Sequence, residues 1–463
     1  MTNNTGNFAK TKRYSMRNYI PNTKKEQEEM LKSMGLASVD ELFADIPQKI
    51  KLNRKLNLAK AMSEPELYSY MKALAKKNIS SDTHICFMGG GVYDHFIPAV
   101  VWQTVGRQEF YTAYTPYQAE MSQGTLQAIF EYQSMICRLT GMDVSNASVY
   151  DAGTACAEAM LMAKNITGKT EVIIAGKVNP QYVQVCKTYA KYNGINITAA
   201  PLDTKKGTVS LPDLKNAISD NCAAVIVQSP NFLGLIEELE ETGKIVKEKG
   251  AMFIVSVDPV SLGILEPPAL FGADIVVGEG QALGNPMNFG GPGFGFFTCK
   301  TDYMRKMPGR IVGETTDLNG KRGFVLTLQA REQHIRREKA TSNICSNQAL
   351  CSLAATVYMS IMGEEGIKKA ASLCAQKSHY MYDRLIQTGK FEPKFRAPFF
   401  KEFVLTYKGK DLNSFKNSMI QAGFMPGIDL DSEGLGSCIL IAVTEKRTKE
   451  EIDAYVKKAG ELL

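Results

Sequence analysis

Residues 252–280 read MFIVSVDPVSLGILEPPALFGADIVVGEG and contain two short apolar runs that end in acidic residues or glycine. The runs at 252–257 and 275–277 are rich in Val and Ile, which is typical of buried β-strands. Similar runs occur at 170–176, 197–202 and 223–230. Helical stretches such as 180–194 lie between several of them. This alternation predicts an α/β domain with a mostly parallel sheet covered by helices on both faces.

The pattern changes on either side of this region. Residues 24–76 are polar and helical in pattern, and Thr23 and Glu26 are spaced as a capping box. Helices are also predicted at 122–139 and 331–389, and the chain ends in a strand, helix, strand, helix order. We therefore expect an N-terminal helical arm (1–80), a large domain (81–325) and a small C-terminal α+β domain (326–463).

The composition is that of an ordinary globular protein, with 44% hydrophobic and 22% charged residues among 463. No run is long and apolar enough for a membrane helix, and the start lacks a signal-peptide pattern. The ten cysteines form no CxxC pair, which indicates reduced, buried thiols in a cytoplasmic protein. The four histidines are scattered, so no metal site is expected. The net charge of +6 is spread out, which does not favour nucleic acid as a partner.

A candidate anion cradle lies where a predicted strand turns into a helix. Asp151, Gly153 and Thr154 occupy this turn. The N-terminus of a helix offers free N–H groups to an anion such as a phosphate. Gly153 would permit close approach of the backbone, and Thr154 would add a hydroxyl. The alternative is a plain turn in which Asp151 or Thr154 only caps the helix.

The overall plan suits pyridoxal-phosphate (PLP) enzymes of the aspartate aminotransferase-like fold. Such a site needs a carboxylate opposite the pyridine nitrogen and a lysine that forms a Schiff base. Asp258 ends a strand at the sheet edge where such folds bind ligands, although it could be a simple cap. No lysine lies between Lys249 and Lys300, and Gln281 follows the next strand. Since Gln cannot form an imine, independent PLP catalysis is not expected.

Longer strings carry a more specific resemblance. They are Tyr111–Glu120, Ser122–Gly124, Asn146–Ser148, Gly153–Ala155, Ala157–Ala159 and Leu328–Gln348, together with Tyr19–Thr23 and Met88–Gly91. In these strings the chain resembles the alpha half of glycine decarboxylases, the P-protein of the glycine cleavage system. The resemblance runs nearly from end to end.

The resemblance implies a PLP-dependent transferase fold (fold type I) with a mostly parallel seven-stranded sheet. In that family the beta half carries the PLP lysine, and counting back from Gly291–Gly293 places that position at Gln281. The resemblance further implies an α2β2 heterotetramer with a beta subunit, glycine as substrate, and transfer of an aminomethyl group to the lipoyl arm of H-protein. PLP would sit on the beta subunit, and none is expected covalently on this chain. A vestigial pocket would then comprise Asp151, Gly153, Thr154, Asp258 and Gln281.

The role of this chain would then be to complete the partner's active site or its interface. Tyr rings suit such interfaces because they combine an apolar body with a polar tip. The candidates are Tyr114, Thr115, Tyr117 and Gln118, unless this segment is only a structural loop. Weaker candidates for an H-protein contact or a site loop are His334, Thr341, Ser342 and Asn343. A solvated helix face is predicted for Arg331, Arg336, Arg337 and Lys339, with a contact to H-protein as the alternative.

Two other functions stay open at this point. One is a self-sufficient PLP enzyme whose lysine comes from elsewhere, such as Lys339. The other is a scaffolding protein whose pocket contributes nothing. A nicotinamide enzyme is disfavoured, because no GxGxxG motif follows a first strand.

Overall fold

The computed structural model describes residues 22–462, so 19–21 of the family-like N-terminal string lie outside the described residues. The chain divides into two compact units, one ending at Asn78 and one starting at Ile79. Within residues 22–462, no helix has both the length and the apolar composition that crossing a bilayer requires. The predicted domain boundary at residue 325 stays a prediction.

The first unit contains two α-helices, α1 (Lys24–Ser33) and α2 (Glu64–Ala75). Thr23 and Glu26 form the predicted capping box of α1, in which each side chain accepts from the other residue's backbone N–H. Ser63 begins α2 in the same way. Both helices therefore start where their capping residues predict.

The helices of the second unit are mostly those that the apolar periodicity predicts. They are α3 (Ala99–Val105), α4 (Gln108–Tyr111), α5 (Gln123–Thr140), α6 (Ala152–Thr167), α7 (Pro180–Asn193), α8 (Leu211–Ala217), α9 (Leu239–Glu248), α10 (Gln333–Arg336), α11 (Ala349–Gln387), α12 (Leu412–Gln421) and α13 (Lys449–Glu461). The helix predicted at 122–139 is α5, shifted by one residue.

The strands are short and regularly spaced. They are β1 (Ile85–Cys86), β2 (Val144–Ser145), β3 (Glu171–Ala175), β4 (Asn196–Ala200), β5 (Cys222–Ser229), β6 (Met252–Val257), β7 (Ile275–Glu279), β8 (Gly295–Cys299), β9 (Ile311–Thr316), β10 (Arg322–Thr327), β11 (Phe391–Pro393), β12 (Glu402–Tyr407), β13 (Phe424–Met425), β14 (Ile428–Asp429) and β15 (Cys438–Ala442). The apolar runs at 170–176, 197–202, 223–230, 252–257 and 275–277 each form a strand. The strand predicted before Asp151 is wrong, because only Val149 pairs there, in an isolated bridge with Gly295.

Seven strands form the main sheet, in the order β2-β8-β7-β6-β5-β3-β4. Five of them, from β7 to β4, pair in parallel. Strand β8 pairs antiparallel with β7, and β2 pairs antiparallel with β8. Alternate residues of a strand enter different cores: Val255 belongs to the core that includes Tyr358 of α11, and Ile254 belongs to the core that includes Met160 of α6. Because both faces are covered, the strands are apolar throughout rather than alternating. The predicted α/β fold with a mostly parallel seven-stranded sheet is confirmed.

The C-terminal part of the chain builds a second sheet of four antiparallel strands, in the order β11-β12-β15-β14. Its core joins aromatic residues such as Phe403, Phe415 and Tyr455. Strand β12 starts at Glu402, directly after Lys401, and both residues are buried. The side chains of these two residues reach the end of β6 and the segment before α3.

One predicted helix is wrong in its first part. Within 331–389 the long helical element is α11, which is interrupted at Gly363 (φ 59°), and the preceding residues form short helical turns. Leu328 and Arg337 have positive φ angles of 55° and 54°, which an α-helix cannot accommodate. Arg331 is half-buried and donates to the carbonyl groups of Met307 and Gly309. For Arg331 the predicted solvated helix face is therefore also wrong.

Candidate functional site

Carboxyl groups occupy the N-terminus of α6, where a phosphate cradle is predicted. Asp151 is the N-cap, and its Oδ1 accepts from the Thr154 N–H at 2.6 Å. The Ala152 N–H donates to Oε2 of Glu279 at 3.1 Å. Two of the donors at this end of the helix are thus bonded to carboxyl oxygens. Gly153 leaves little room, because a Cβ there would lie 3.1 Å from Val185.

Glu279 ends β7, and its carboxyl group accepts hydrogen bonds from several backbone N–H groups. Its Oε1 accepts from the backbone N–H groups of Gln281 at 3.2 Å and Phe294 at 3.1 Å. Burial raises the pKa of Glu279 to about 8, although the backbone N–H groups favour the charged form. With the bond from Ala152, three backbone donors converge on this carboxyl group. It therefore belongs to the framework of the pocket.

Asp258 ends β6 and is paired with a lysine. Its Oδ2 lies 2.6 Å from Nζ of Lys401, and its Oδ1 accepts from the Val260 N–H at 3.0 Å. The Lys401 side chain is only 2% exposed. The carboxylate predicted to face a pyridine nitrogen thus faces an ammonium group that the chain itself supplies.

Lys401 has two further partners. Its Nζ lies 3.4 Å from the ring centroid of Tyr93 and 2.9 Å from Nε2 of His95. An ammonium group can only donate, so Nε2 of His95 accepts and Nδ1 carries the proton. That Nδ1 lies 2.6 Å from Oε2 of Glu445. Asp258, Lys401, His95 and Glu445 therefore form one continuous hydrogen-bonded chain.

Glu402 fixes the glycine-rich segment at 88–91. Its Oε1 accepts from the Gly90 N–H at 2.7 Å, and its Oε2 accepts from the Tyr93 hydroxyl at 2.7 Å. A Cβ at Gly89 would collide with Oε1 of Glu402, which explains the glycine at this position. Burial raises the pKa of Glu402 to about 7.

The cavity between these groups is nearly filled. It is lined by Tyr93, Asp258, Glu279, Lys401 and Glu402, among others, and its volume is about 20 Å³. A cavity that holds a single water molecule has a volume, counted in the same way, of roughly 10–15 Å³. The cavity therefore accommodates about one water molecule.

Gln281 does not line this cavity, because its amide is bonded to the backbone. Its Oε1 accepts from the Tyr93 N–H at 2.9 Å, and its Nε2 donates to the carbonyl groups of Tyr93 at 3.1 Å and Asn285 at 2.6 Å. The side chain at the predicted Schiff-base position thus ties the segment before α3 to the turn after β7.

The residues of this pocket do not fit PLP. Asp258, the carboxylate expected to face the pyridine nitrogen, is paired with Lys401. The N–H groups at the start of α6 donate to the carboxyl groups of Asp151 and Glu279. The side chain of Gln281, at the Schiff-base position, is bonded to backbone groups. Of the residues predicted for a vestigial pocket, Asp258 lines the cavity, whereas Asp151, Gly153, Thr154 and Gln281 are not among its lining residues. Their grouping as a remnant cofactor site stays a prediction.

The lysine suggested as a substitute, Lys339, is exposed and lies in a turn at Arg337–Lys339. The lysine that reaches the cavity is Lys401, which sequence reasoning missed. Its signal is the charged pair Lys401–Glu402 within the otherwise apolar run APFFKEFV at 397–404. Glu279, in VVGEG, has a weaker signal of the same kind, because an acidic residue there closes a buried strand.

The tyrosine-rich segment lies elsewhere in the second unit, on an exposed surface. Tyr114 is 88% and Tyr117 is 54% exposed, and Gln118 is exposed as well. Tyr114 and Thr115 line an open cleft of about 290 Å³ together with residues of α5 and α11. Pro116 is buried and anchors the segment.

Arg310 is the buried cation of this cleft. It is 6% exposed, and its guanidinium donates to the Asn347 side chain at 3.2 Å and to the Cys345 carbonyl at 2.9 Å. The Tyr117 hydroxyl lies 3.4 Å away. Within residues 22–462, Arg310 has no carboxylate partner within 4.0 Å, and its Nε has no hydrogen-bond partner. Nothing in the sequence pattern around Arg310 marked it as a site residue.

The weaker candidates are only partly brought to this cleft. The ring of His334 lies 6.3 Å from that of Tyr117, edge to face. Ser342 lies instead beside Glu158, whose pKa burial raises to about 7 while the Ser342 hydrogen bond opposes the shift. Thr341 is half-buried and Asn343 is exposed. Of this group, the structure thus places His334 next to the tyrosine-rich segment.

The cysteines and one polar cluster complete the inventory of reactive groups. All ten cysteines are free, seven are buried and Cys345 is exposed, so the prediction of buried thiols is wrong for Cys345. One group in the described part of the chain, His95, Cys374 and Glu445, brings three potential ligand atoms within 4.8 Å of one another. His95 and Glu445 are already hydrogen-bonded to each other. The expected absence of a metal stays a prediction.

The sheet order, the pocket at the carboxyl ends of the parallel strands and the small C-terminal sheet define a protein of the PLP-dependent transferase class, fold type I. A glutamate decarboxylase of Lactobacillus brevis has this fold with a TM-score of 0.66 over 89% of this chain and 95% of that chain. At 11% identity this likeness shows the fold alone.

Closer comparisons identify the family. The model of the glycine cleavage system P-protein family matches residues 17–458, so the chain belongs to this family, as predicted. A probable glycine dehydrogenase (decarboxylating) subunit 1 of Carboxydothermus hydrogenoformans is 54% identical over 96% of this chain and 99% of its own length. A protein of the same name from Chlorobium limicola is 52% identical over 96% and 100%. A crystal structure of glycine decarboxylase (P-protein) in inhibitor-bound form has a TM-score of 0.89 at 40% identity, covering 96% of this chain and 100% of that chain.

Proposed function

We propose that this chain is subunit 1, the alpha half, of a split glycine dehydrogenase (decarboxylating). The observation that carries the proposal is the end-to-end similarity to relatives of that name. With a beta subunit, the chain would decarboxylate glycine and pass the aminomethyl group to the lipoyl arm of H-protein. The assembly would be a cytoplasmic α2β2 heterotetramer.

In this proposal PLP is bound by the beta subunit and not covalently by this chain. The filled pocket supports this assignment, because Lys401 and Glu279 occupy the positions that a cofactor needs. In this proposal the pocket residues, including Asp151 and Thr154, stabilise the fold and do not bind a cofactor. Asp258 and Gln281 join separate segments of the chain rather than acting on substrate.

The contribution of this chain to the reaction lies at the open cleft. Tyr114, Thr115, Tyr117 and Gln118 would complete the active site or entry of the beta subunit. Exposed tyrosines are frequent in interfaces, since they bury much area with little loss of conformational freedom. A buried cation with incomplete bonding, here Arg310, is costly unless a further partner satisfies it. His334, beside Tyr117, is placed to share the same contact.

The deciding experiment is a glycine–bicarbonate exchange assay with lipoylated H-protein. It is run on this chain alone, on the beta subunit alone and on the mixture. We expect exchange only in the mixture. Exchange by this chain alone would contradict the proposal and would favour a self-sufficient enzyme, for which Lys401 would be the lysine to test.

A scaffolding role is the second candidate, and substitutions at the cleft separate it from the first. Tyr117→Ala and Arg310→Met are made in this chain, and pairing with beta is measured beside exchange. Loss of exchange with pairing retained is the expected result. Unchanged exchange would favour a scaffold whose surface contributes nothing to the reaction.

A further inference from the structure

We propose that Lys401 and Glu279, and not only the glutamine at position 281, exclude PLP from the pocket of this chain. This inference rests on the proposed function, which assigns the cofactor to the beta subunit. It adds a physical reason why PLP does not bind in the pocket of this chain. In a pocket that has lost only its lysine, restoring the lysine would restore cofactor binding. In a pocket that is filled by its own side chains, it would not.

Lys401 acts as an internal substitute for a protonated pyridine ring. Both present a positive N–H to the carboxylate at the end of β6, and here Nζ of Lys401 lies 2.6 Å from Oδ2 of Asp258. The ammonium group also contacts His95 and the face of the Tyr93 ring. A pyridinium ring has a single N–H and could not satisfy both Asp258 and His95. Displacing the lysine would therefore leave polar groups unbonded in a buried site.

Glu279 acts in the same way at the other end of the pocket. Its Oε2 accepts from the Ala152 N–H, where a phosphate oxygen would bind to the helix N-terminus. A phosphate would therefore meet the carboxyl groups of both Asp151 and Glu279. A phosphate oxygen could bind to this end of the helix only by displacing the Glu279 carboxyl group from the Ala152 N–H. Gly293 packs closely on Glu279 as well, since a Cβ there would lie 2.6 Å from Oε1.

The same contacts close the pocket with the C-terminal sheet. Lys401 and Glu402 stand at the start of β12, and they bind Asp258 at the end of β6 and Gly90 in the glycine-rich segment. The remaining cavity of about 20 Å³ is far below the roughly 300 Å³ of a small ligand pocket. A cofactor could enter only if Lys401 left its place.

The test uses the full-length chain and two probes, PLP and pyridoxamine 5′-phosphate. The second probe has the ring and the phosphate but no aldehyde, so it reports on space and charge without requiring a lysine. The variants are Gln281→Lys, Lys401→Met, Glu279→Thr and their combination, with Lys401→Arg as the matched control that keeps the cation. Readouts are the borohydride-sensitive visible absorption of an internal Schiff base and the shift in melting temperature caused by each probe.

We expect Gln281→Lys alone to behave like the unmodified chain, with no Schiff-base band and no stabilisation by either probe. The triple variant should develop the band and bind PLP at least tenfold more tightly than Gln281→Lys. With Glu279→Thr also present, pyridoxamine phosphate should stabilise Lys401→Met but not Lys401→Arg. A band in Gln281→Lys alone would overturn the inference, and so would a folded triple variant that binds neither probe.

Two further outcomes are assigned in advance. Should the triple variant fail to fold, Lys401→Gln replaces Lys401→Met, because its amide can still donate to Asp258, and stabilisation by pyridoxamine phosphate is then decisive. Should the unmodified chain form a band that Lys401→Met abolishes, both the inference and the assignment of the cofactor to beta are wrong. A Schiff-base band in Gln281→Lys alone would contradict this inference without changing the expected result of the glycine–bicarbonate exchange assay. Failure of the inference can therefore be distinguished from failure of the proposed function.

Discussion

Two regions of the second unit each contain a buried cation, and the two cations differ in how completely they are bonded. In the closed pocket, Lys401 has a carboxylate, an imidazole and an aromatic face around it. In the open cleft, Arg310 has amide and carbonyl oxygens and a distant hydroxyl, and its Nε has no partner in residues 22–462. The first region is complete within the chain. In the second, one N–H of the guanidinium has no hydrogen-bond partner among residues 22–462.

This difference indicates where to expect function. A fully bonded buried charge stabilises one arrangement and gains nothing from an additional ligand. A partly bonded one carries a free-energy cost that a binding partner can remove. We therefore propose a structural role for the pocket that resembles an active site by its position in the fold, and the tyrosine-lined cleft as the candidate for contact with a partner.

The largest expected effect comes from breaking the complete region. Lys401→Met would leave Asp258 buried without its cation, and removing one partner of a buried pair costs roughly 3–5 kcal/mol. Denaturant unfolding of the full-length chain measures this change in the free energy of unfolding. Lys449→Met is the matched control, because the Lys449–Asp453 pair is exposed and should contribute less than about 1 kcal/mol.

A second substitution sharpens this test. Combining Lys401→Met with Asp258→Leu removes both charges, so part of the lost stability should return. If Lys401→Met costs no more than Lys449→Met, the pair is not the stabilising element that its geometry indicates.

The next effect concerns the incomplete region. Arg310→Met should lower exchange in the assembled enzyme about 100-fold, because Arg310 holds both the Tyr117 segment and the backbone at Cys345, and a misplaced site group can cost this much. The exchange assay of the mixture measures it. Arg322→Met is the control, since Arg322 is exposed and pairs with Glu314. An equal loss in both variants would mean that the arginine acts through general charge rather than through position.

A smaller effect is expected at the rim of the cleft. Tyr117→Ala should reduce exchange about tenfold, or ~1.4 kcal/mol, while pairing with beta persists. Tyr117→Phe should lose less, because the hydroxyl lies 3.4 Å from Arg310 and the bond is weak. Tyr192→Ala is the control at a tyrosine that is 79% exposed on another surface. Dissociation of the subunits by Tyr117→Ala would assign the residue to assembly instead.

Sequence reasoning predicted the two regions unequally, for physical reasons. Strand ends such as Asp258 were found because Val and Ile runs mark buried strands and fold rules place their ends together. Lys401 was missed, since its partner lies 143 positions earlier and no local pattern connects them. Helix α11 was predicted too long because charged residues at helical spacing do not reveal that the Arg331 guanidinium turns inward onto carbonyl groups.

A further effect is a pH dependence of stability that separates the two regions once more. Burial raises the pKa of Glu279 to about 8 from an unfolded value of 4.5. The folded state therefore binds more protons than the unfolded state between these values, so this group's contribution is fully present below pH 4.5 and is lost as pH rises through about 8. For a single group the slope is at most ~1.4 kcal/mol per pH unit.

Glu279→Gln should flatten this part of the stability curve, measured by denaturant unfolding at several pH values. Glu240→Gln is the control, because Glu240 is exposed on α9 beside Lys244 and should leave the slope as it is. Substituting Arg310 should not change the slope either, since the cleft adds no carboxyl group to its surroundings. An unchanged slope in Glu279→Gln would mean that the three backbone donors outweigh burial and that the carboxyl group stays charged throughout, which would strengthen its repulsion of a phosphate at the N-terminus of α6.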